Sequence, residues 1–149
     1  MLRRIAAYAG KMGINLAIEA LRKPESLIAN SAADLHVLLD MVNDPALKVC
    51  LDIGAMVDAG DTIQDYFDTF GSDVIHAHFV DCGPRSLHLA LGDGERDIAE
   101  DIRTFECNGY QGVLSVECTD SLTLTDPMGA DARSMRTYRA AYEQIESAR

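Results

Sequence analysis

The sequence predicts an α/β fold in which four parallel strands alternate with helices. Four short apolar runs rich in β-branched residues are separated by longer segments whose apolar residues follow helical spacing. These short runs are nearly continuously apolar, as expected for a sheet that is covered on both faces. Strands that alternate with helices form right-handed β-α-β units, so the predicted sheet is parallel.

The composition is that of an acidic globular protein. The 149 residues are 48% hydrophobic and 25% charged, with a formal net charge of −11, and they suffice for one domain with its own core. The negative charge disfavours a nucleic-acid-binding protein, which needs a basic surface. No apolar run approaches the roughly 20 residues of a membrane span, and the N-terminus lacks the long apolar core of a signal peptide. The four cysteines form no CxxC pair, which favours reduced thiols in a cytoplasmic protein.

Five helices are predicted from apolar spacing and from the residues that begin and end them. The first covers residues 1–13. Ser31 is the expected N-cap of the second, which ends at Asn43-Asp44-Pro45 because the residue before a proline avoids helical geometry. The third follows Gly60-Asp61 and ends at Gly71. The last two are defined by Ile98, Ile102 and Phe105, and by Met135, Tyr138, Tyr142 and Ile145. Loops are expected at 24–30, at 82–94 and around Asp126-Pro127.

The four predicted strands cover residues 14–20, 47–53, 74–81 and 112–117, and each carries a potential metal ligand near its C-terminal end. These residues are Glu19, Asp52, His78 and Glu117. Adjacent parallel strands present their C-terminal ends on one rim, so we expect the four side chains to converge. Three carboxylates and one imidazole favour Mn²⁺, Mg²⁺ or Co²⁺ over a structural zinc ion. Without a cation the converging carboxylates would repel one another.

Each of these residues, taken alone, also has an ordinary structural role. A glutamate at a strand end commonly caps a helix or pairs in a loop, and a histidine in a strand commonly forms hydrogen bonds in a core. The side chains two positions earlier, at Ala17, Cys50, His76 and Ser115, are expected on the same strand faces one step deeper. We expect His76 to be a hydrogen-bonding residue of the barrel interior, and Asp81 to be either a loop residue or a group that supports the metal ligands.

Several motifs, taken in order, resemble the xylose-isomerase-like sugar phosphate isomerase/epimerase superfamily, and within it the fructoselysine 3-epimerases and related ketose 3-epimerases. The motifs are Leu16-Ala17-Ile18-Glu19-Ala20-Leu21, Pro24-Glu25-Ser26, Leu51-Asp52-Ile53, His76-Ala77-His78-Phe79-Val80-Asp81, Gly92-Asp93-Gly94, Gly109-Tyr110-Gln111-Gly112 and Ser115-Val116-Glu117. The resemblance implies a TIM barrel, of which residues 1–149 would form the C-terminal half, strands five to eight, as a parallel (β/α) half-barrel.

The resemblance also implies a site and an activity. Glu19, Asp52, His78 and Glu117 would bind one divalent ion, commonly Mn²⁺, with Mg²⁺, Co²⁺ or Zn²⁺ as alternatives. Glu19 and Glu117 would move the proton of a ketose or fructosamine carbon through an enediolate, and the substrate would be a sugar or a sugar amine. His88, Arg85 and Glu25 are the predicted substrate contacts. The chain departs from the family at Ala55, where many members have a histidine, and at Leu27 and Leu91.

A half-barrel leaves two sheet edges unpaired. We therefore expect either a homodimer or a separate N-terminal half-barrel as the partner, and activity can require that other half. Two alternatives stay open at this stage. One is a non-catalytic metal- or sugar-binding half-barrel or a truncation product. The other, disfavoured by the acidic charge and by only four histidines, is a nuclease similar to endonuclease IV.

Overall fold

Four parallel strands form the central sheet, in the order β1-β2-β3-β6. The computed structural model describes all 149 residues. The strands of this sheet are β1 (Leu16–Glu19), β2 (Leu47–Asp52), β3 (Val74–His78) and β6 (Val113–Ser115). A separate antiparallel hairpin, β4 (Asp81–Gly83) and β5 (Ser86–Leu89), follows β3. The predicted parallel α/β topology is therefore confirmed.

The helices connect the strands in the predicted alternation. They are α1 (Leu2–Lys11), α2 (Ala32–Val42), α3 (Ile53–Ala59), α4 (Ile63–Phe70), α5 (Ile98–Cys107), α6 (Ser121–Thr125) and α7 (Pro127–Ser147). Ser31 caps α2 as predicted by accepting a hydrogen bond from the backbone N–H of Asp34, and α2 ends at Asn43, which has a φ of 48°. No helix has the length and apolar composition that a membrane span requires.

Two predicted loops were wrong in part and the short helix α3 was not predicted, each for a local reason. The segment after Asp52 forms α3, because the Asp52 side chain caps its first turn by accepting from Ala55 N–H. Part of the predicted loop at 82–94 is the β4–β5 hairpin. Asp126-Pro127 begins the last helix: Asp126 caps it, and proline is favoured in the first turn because its missing N–H has no partner there anyway.

The main core lies between the sheet and the helices packed on one of its faces. Leu51, Ala77 and Phe79 are almost completely buried, and Phe105 stacks edge-on against Phe79 with ring centroids 6.1 Å apart. The opposite face of the sheet carries the side chains of Cys50, Asp52, His76 and His78, which alternate with the core residues along β2 and β3. This face and the C-terminal strand ends position the candidate site.

Asp81 stabilises the start of the hairpin. Its buried carboxylate accepts hydrogen bonds from four backbone N–H groups, those of Cys82, Gly92, Gly94 and Arg96, at 2.8–3.1 Å. A Cβ on Gly94 would lie 2.3 Å from Asp81 Oδ1, so the loop can approach the carboxylate this closely only with glycine. Asp81 is therefore not a loop residue but the first residue of β4, and its carboxylate holds the hairpin to the loop that follows it.

Candidate metal centre and catalytic cleft

Four potential ligands meet where the strands of the sheet end. Glu19, Asp52 and His78 are the last residues of β1, β2 and β3, and Glu117 lies two residues after β6. One ligand atom from each of these side chains lies within 4.8 Å of all the others. The structure thus brings together the four residues that the strand-end pattern predicted would converge.

The imidazole of His78 lies at the centre of the group. Its Nδ1 is 3.0 Å from Glu117 Oε2, 3.4 Å from Asp52 Oδ2 and 3.6 Å from Glu19 Oε1. None of these contacts has hydrogen-bond geometry, and the buried Nδ1 has no hydrogen-bond partner in the protein. A buried nitrogen that faces three carboxylates without bonding to any of them fits a ligand of a cation held between them.

The charges in the group oppose one another. Asp52 is 1% exposed, and burial alone would raise its pKa, but hydrogen bonds from His88 and from Ala55 N–H bring the pKa below its ordinary value. Glu19 shows the opposite result: burial raises its pKa, His78 counteracts this, and the charges of Asp52 and Glu117 raise the pKa further. An ionised Asp52 therefore makes ionisation of Glu19 costly unless a cation is present.

The hairpin places His88 beside this group. The Nε2 atom of His88 is 3.3 Å from Asp52 Oδ2, and this hydrogen bond raises the pKa of the imidazole. The close approach depends on Gly54 in α3, where a Cβ would lie 2.5 Å from His88 Cε1. On the other side, the backbone N–H of Thr119 donates to the His88 carbonyl at 3.1 Å. His88 is thus held between α3 and the segment after β6.

A cleft of about 190 Å³ opens beside the strand-end group and is lined by its three carboxylates but not by His78. It is lined by Glu19, Asp52 and Glu117 of the group, by the predicted substrate contacts Glu25 and His88, and by Leu21, Arg22, Ala55 and Thr119. Arg22 Nε donates to Glu25 Oε2 at 3.1 Å, and the hydrogen bond from Arg22 lowers the pKa of Glu25. The sequence reasoning missed Arg22, although its position three residues before Glu25 in a loop after β1 is a signal for such a pair.

Arg85 lies apart from this cleft. Its guanidinium is half exposed, 3.6 Å from Asp120 Oδ2, and lines another depression together with Asp93, Asp126 and Arg133. The structure therefore brings Glu25 and His88 to the strand-end group but not Arg85.

Beneath the strand-end group lies a second set of side chains on the same face of the sheet. Cys50 is opposite His76 in the register of β2 and β3, just as Asp52 is opposite His78. Burial, together with the charges of Glu19 and Asp52, raises the pKa of the Cys50 thiol to about 12. The expectation of a deeper level holds for Cys50 and His76, whereas Ser115 lies opposite His78 and Ala17 opposite Lys48.

The comparisons with known proteins agree with this architecture. Residues 1–139 match the family model described as xylose isomerase-like TIM barrel. Fructoselysine 3-epimerase of Escherichia coli O157:H7 is 28% identical over 146 residues, which are 97% of this chain and 53% of that protein.

Two solved structures share the fold. The structure of L-ribulose 3-epimerase matches with a TM-score of 0.80 at 20% identity, covering 99% of this chain and 55% of that one. D-allulose 3-epimerase from Methylomonas sp., solved in complex with D-allulose, matches with a TM-score of 0.73 at 23% identity, covering 98% and 52%.

The chain spans about half the length of the relatives it matches. The resemblance inferred from the motifs and the predicted half-barrel are therefore confirmed. With a family model that matches residues 1–139 and a sheet that corresponds to half of the barrels it resembles, this chain belongs to the xylose isomerase-like TIM barrel family.

Proposed function

We propose that this chain is the site-bearing half of a divalent-metal-dependent sugar epimerase that inverts C3 of a ketose or fructosamine by proton transfer. The family and the names of the relatives support the general class, sugar isomerases and epimerases. The observation that carries the proposal is the buried Nδ1 of His78, which faces three carboxylates and has no hydrogen-bond partner.

In this proposal Glu19, Asp52, His78 and Glu117 hold the metal ion. Three carboxylate oxygens and one imidazole nitrogen favour Mn²⁺, with Mg²⁺, Co²⁺ and Zn²⁺ as alternatives. The pKa of Asp52 is lowered while that of Glu19 is raised. This difference supports a metal ion at the site, because a divalent charge would allow both carboxylates to be ionised together. His88, which donates to Asp52, would orient that carboxylate, as partners of ligands commonly do.

The chemistry needs a base and an acid beside a polarised carbonyl. When bound, the ion supplies positive charge that stabilises the oxyanion formed as the adjacent C–H loses its proton. Glu19 and Glu117 are the proposed proton carriers: one removes the proton from C3, and the other returns a proton to the opposite face.

Glu25 and His88 are the proposed contacts to sugar hydroxyls, because both line the cleft beside the metal centre. The substrate would be a sugar or sugar amine of a size suited to a cleft of about 190 Å³ that a partner half-barrel encloses further. The role of Arg85 as a substrate contact stays a prediction, and so does the cytoplasmic location.

A partner is proposed because β1 and β6, the two edges of the sheet, each lack one neighbour. Val113 on β6 and Ile14 just before β1 are 63% and 55% exposed. We propose that a second copy pairs with these edges, with an N-terminal half-barrel on another chain as the alternative. Sedimentation velocity is expected to show a dimer, and Val113→Lys should shift it to monomer because lysine on an edge strand opposes pairing. A wild-type monomer would reject the homodimer.

The test of the metal centre is a Mn²⁺ titration followed by electron paramagnetic resonance. Asp52→Asn and His78→Ala are each expected to weaken binding at least ~10-fold, since even residues around metal ligands have effects of that size. The matched control is His36→Ala, which removes an exposed histidine on α2. Unchanged Mn²⁺ affinity in both site variants would reject the centre.

The test of catalysis is exchange of the carbon-bound hydrogen with solvent deuterium in the metal-loaded protein, over a panel of ketoses and fructosamines. Glu19→Gln and Glu117→Gln should abolish the exchange, while Glu143→Gln, on the exposed side of α7, should not. A folded, metal-loaded dimer that exchanges no substrate would favour the second candidate, a non-catalytic metal- or sugar-binding half-barrel. This candidate is favoured by the observation that the chain covers only 53% of the length of fructoselysine 3-epimerase.

A further inference from the structure

The structure contains a second cluster of metal-binding side chains, distinct from the strand-end group in its chemistry. One ligand atom from each of Cys50, His76 and His78 lies within 4.8 Å of the other two. The first two residues take no part in the proposed metal centre or in the proton transfer. The donor set of the whole cluster, one sulfur and two imidazole nitrogens, is softer than that of the strand-end group, which has three carboxylates and one imidazole.

The geometry of β2 and β3 creates this cluster. Cys50 and His76 are opposite each other in the register, so their side chains leave the sheet on the same face. His76 and His78 are two residues apart on one strand and also share that face. Their rings are nearly perpendicular, at 84°, with centroids 5.3 Å apart, so the two imidazoles are neighbours without stacking.

The surroundings of the cluster differ from one side to the other. Cys50 is 3% exposed and forms no disulfide. His76 is half-buried, and its neighbour across β3 and β6 is Val113, which is 63% exposed on the open edge of the sheet. The thiol is therefore shielded from solvent, while the half-buried His76 on the same face is the ligand that an entering ion reaches first.

We propose that Cys50, His76 and His78 form an inner site for a thiophilic divalent ion such as Zn²⁺. A thiolate and two imidazoles are typical zinc ligands, and three protein ligands leave a fourth position open for water. Hard ions such as Mn²⁺ prefer the carboxylates above. The thiol must lose its proton when the ion binds, as thiol ligands of zinc do.

The two sites share His78, so they compete for it. A neutral imidazole offers one nitrogen as a ligand while the other carries the proton. Zn²⁺ in the inner site therefore draws His78 away from Glu19, Asp52 and Glu117, and it should weaken Mn²⁺ binding there. The inner site itself does not depend on the proposed epimerase activity, and only the competition rests on the proposed metal centre.

The test uses Co²⁺, which reports a thiolate ligand through a charge-transfer absorption in the near ultraviolet. We expect this band in the wild-type dimer or monomer, its loss in Cys50→Ser, and its retention in Cys107→Ser, which changes an exposed cysteine far along the chain. His76→Ala should lower Zn²⁺ affinity at least ~10-fold, as loss of a ligand or of its support does. Absence of the band, or a band that survives in Cys50→Ser, would overturn the inner site.

Electron paramagnetic resonance of Mn²⁺ distinguishes failure of the inner site from failure of the proposed metal centre. Cys50→Ser and His76→Ala should keep wild-type Mn²⁺ affinity, and Zn²⁺ should displace Mn²⁺ less readily from both variants than from the wild type. If Mn²⁺ never binds, the proposed metal centre fails while the Co²⁺ band still decides the inner site. Cys50→Ala, monitored by circular dichroism, is the second variant should Cys50→Ser not fold.

Discussion

Replacing Asp81 with asparagine tests how the hairpin is held over the site. The wild-type carboxylate accepts four backbone N–H groups, two at each oxygen: Cys82 and Arg96 at Oδ1, Gly92 and Gly94 at Oδ2. An amide nitrogen cannot accept a hydrogen bond, so Asp81→Asn leaves two of these N–H groups without an acceptor in a site that is 1% exposed.

The magnitude follows from the number of bonds lost. Hydrogen bonds to charged groups contribute about 1.5–3 kcal/mol each, so the loss of two corresponds to roughly 3–6 kcal/mol of unfolding free energy. For a chain of this length the melting temperature should fall by on the order of 10 °C. The amide hydrogens would also face backbone N–H groups, which adds to the cost.

The assay is urea and thermal unfolding followed by circular dichroism. Asp131→Asn, which changes an exposed aspartate on α7, is the matched control and should unfold with the wild type. If Asp81→Asn loses less than about 0.5 kcal/mol, within the ordinary range for an exposed substitution, the four hydrogen bonds do not hold the hairpin and the reasoning is refuted.

Three further predictions concern single groups. Tyr66 is completely buried and its hydroxyl has no protein hydrogen-bond partner, so Tyr66→Phe should leave the unfolding free energy unchanged or raise it by up to about 1–3 kcal/mol; a clear loss in urea unfolding would contradict this. Hydrogen bonding from the backbone N–H of Thr123 lowers the pKa of Asp120. Asp120→Ala should therefore lower the unfolding free energy by about 0.5–2 kcal/mol, as loss of a helix cap does. This difference from the wild type should be constant at pH values above 3.8, the ordinary pKa of aspartate, and should disappear as the pH falls through the lowered pKa of Asp120. Thermal melts at several pH values measure it, and a difference that grows on acidification would contradict the prediction. Mn²⁺ at about 100 times its dissociation constant should stabilise the wild type and His36→Ala by about 2.7 kcal/mol and His78→Ala much less, as calorimetric melting temperatures would show; an equal rise in all three would exclude His78 as a ligand.

Much of the fold was predictable from local pattern alone. Apolar runs of strand length, separated by helical spacing, predicted the parallel order, and Ser31 and Asn43 marked the ends of α2 as expected. The elements that the sequence did not predict, such as α3 and the β4–β5 hairpin, are short. The first turn of α3 depends on the side chain of Asp52, and the β4–β5 hairpin depends on Asp81 accepting from a loop eleven to fifteen residues away. Such contacts leave no periodic signal in the sequence.

The sequence by itself determined which four residues could converge at the strand ends, because parallel strands present their C-terminal ends on one rim and the residue type at each end is read directly. Only the tertiary structure decided what surrounds them. It placed His88 against Asp52, an approach that the absence of a side chain at Gly54 permits. It also placed Arg22 beside Glu25 and left Arg85 in another depression. It also set the strand register, which keeps Cys50 opposite His76 as expected but moves Ser115 opposite His78, since register depends on side-chain packing across the sheet that neither strand's own sequence contains.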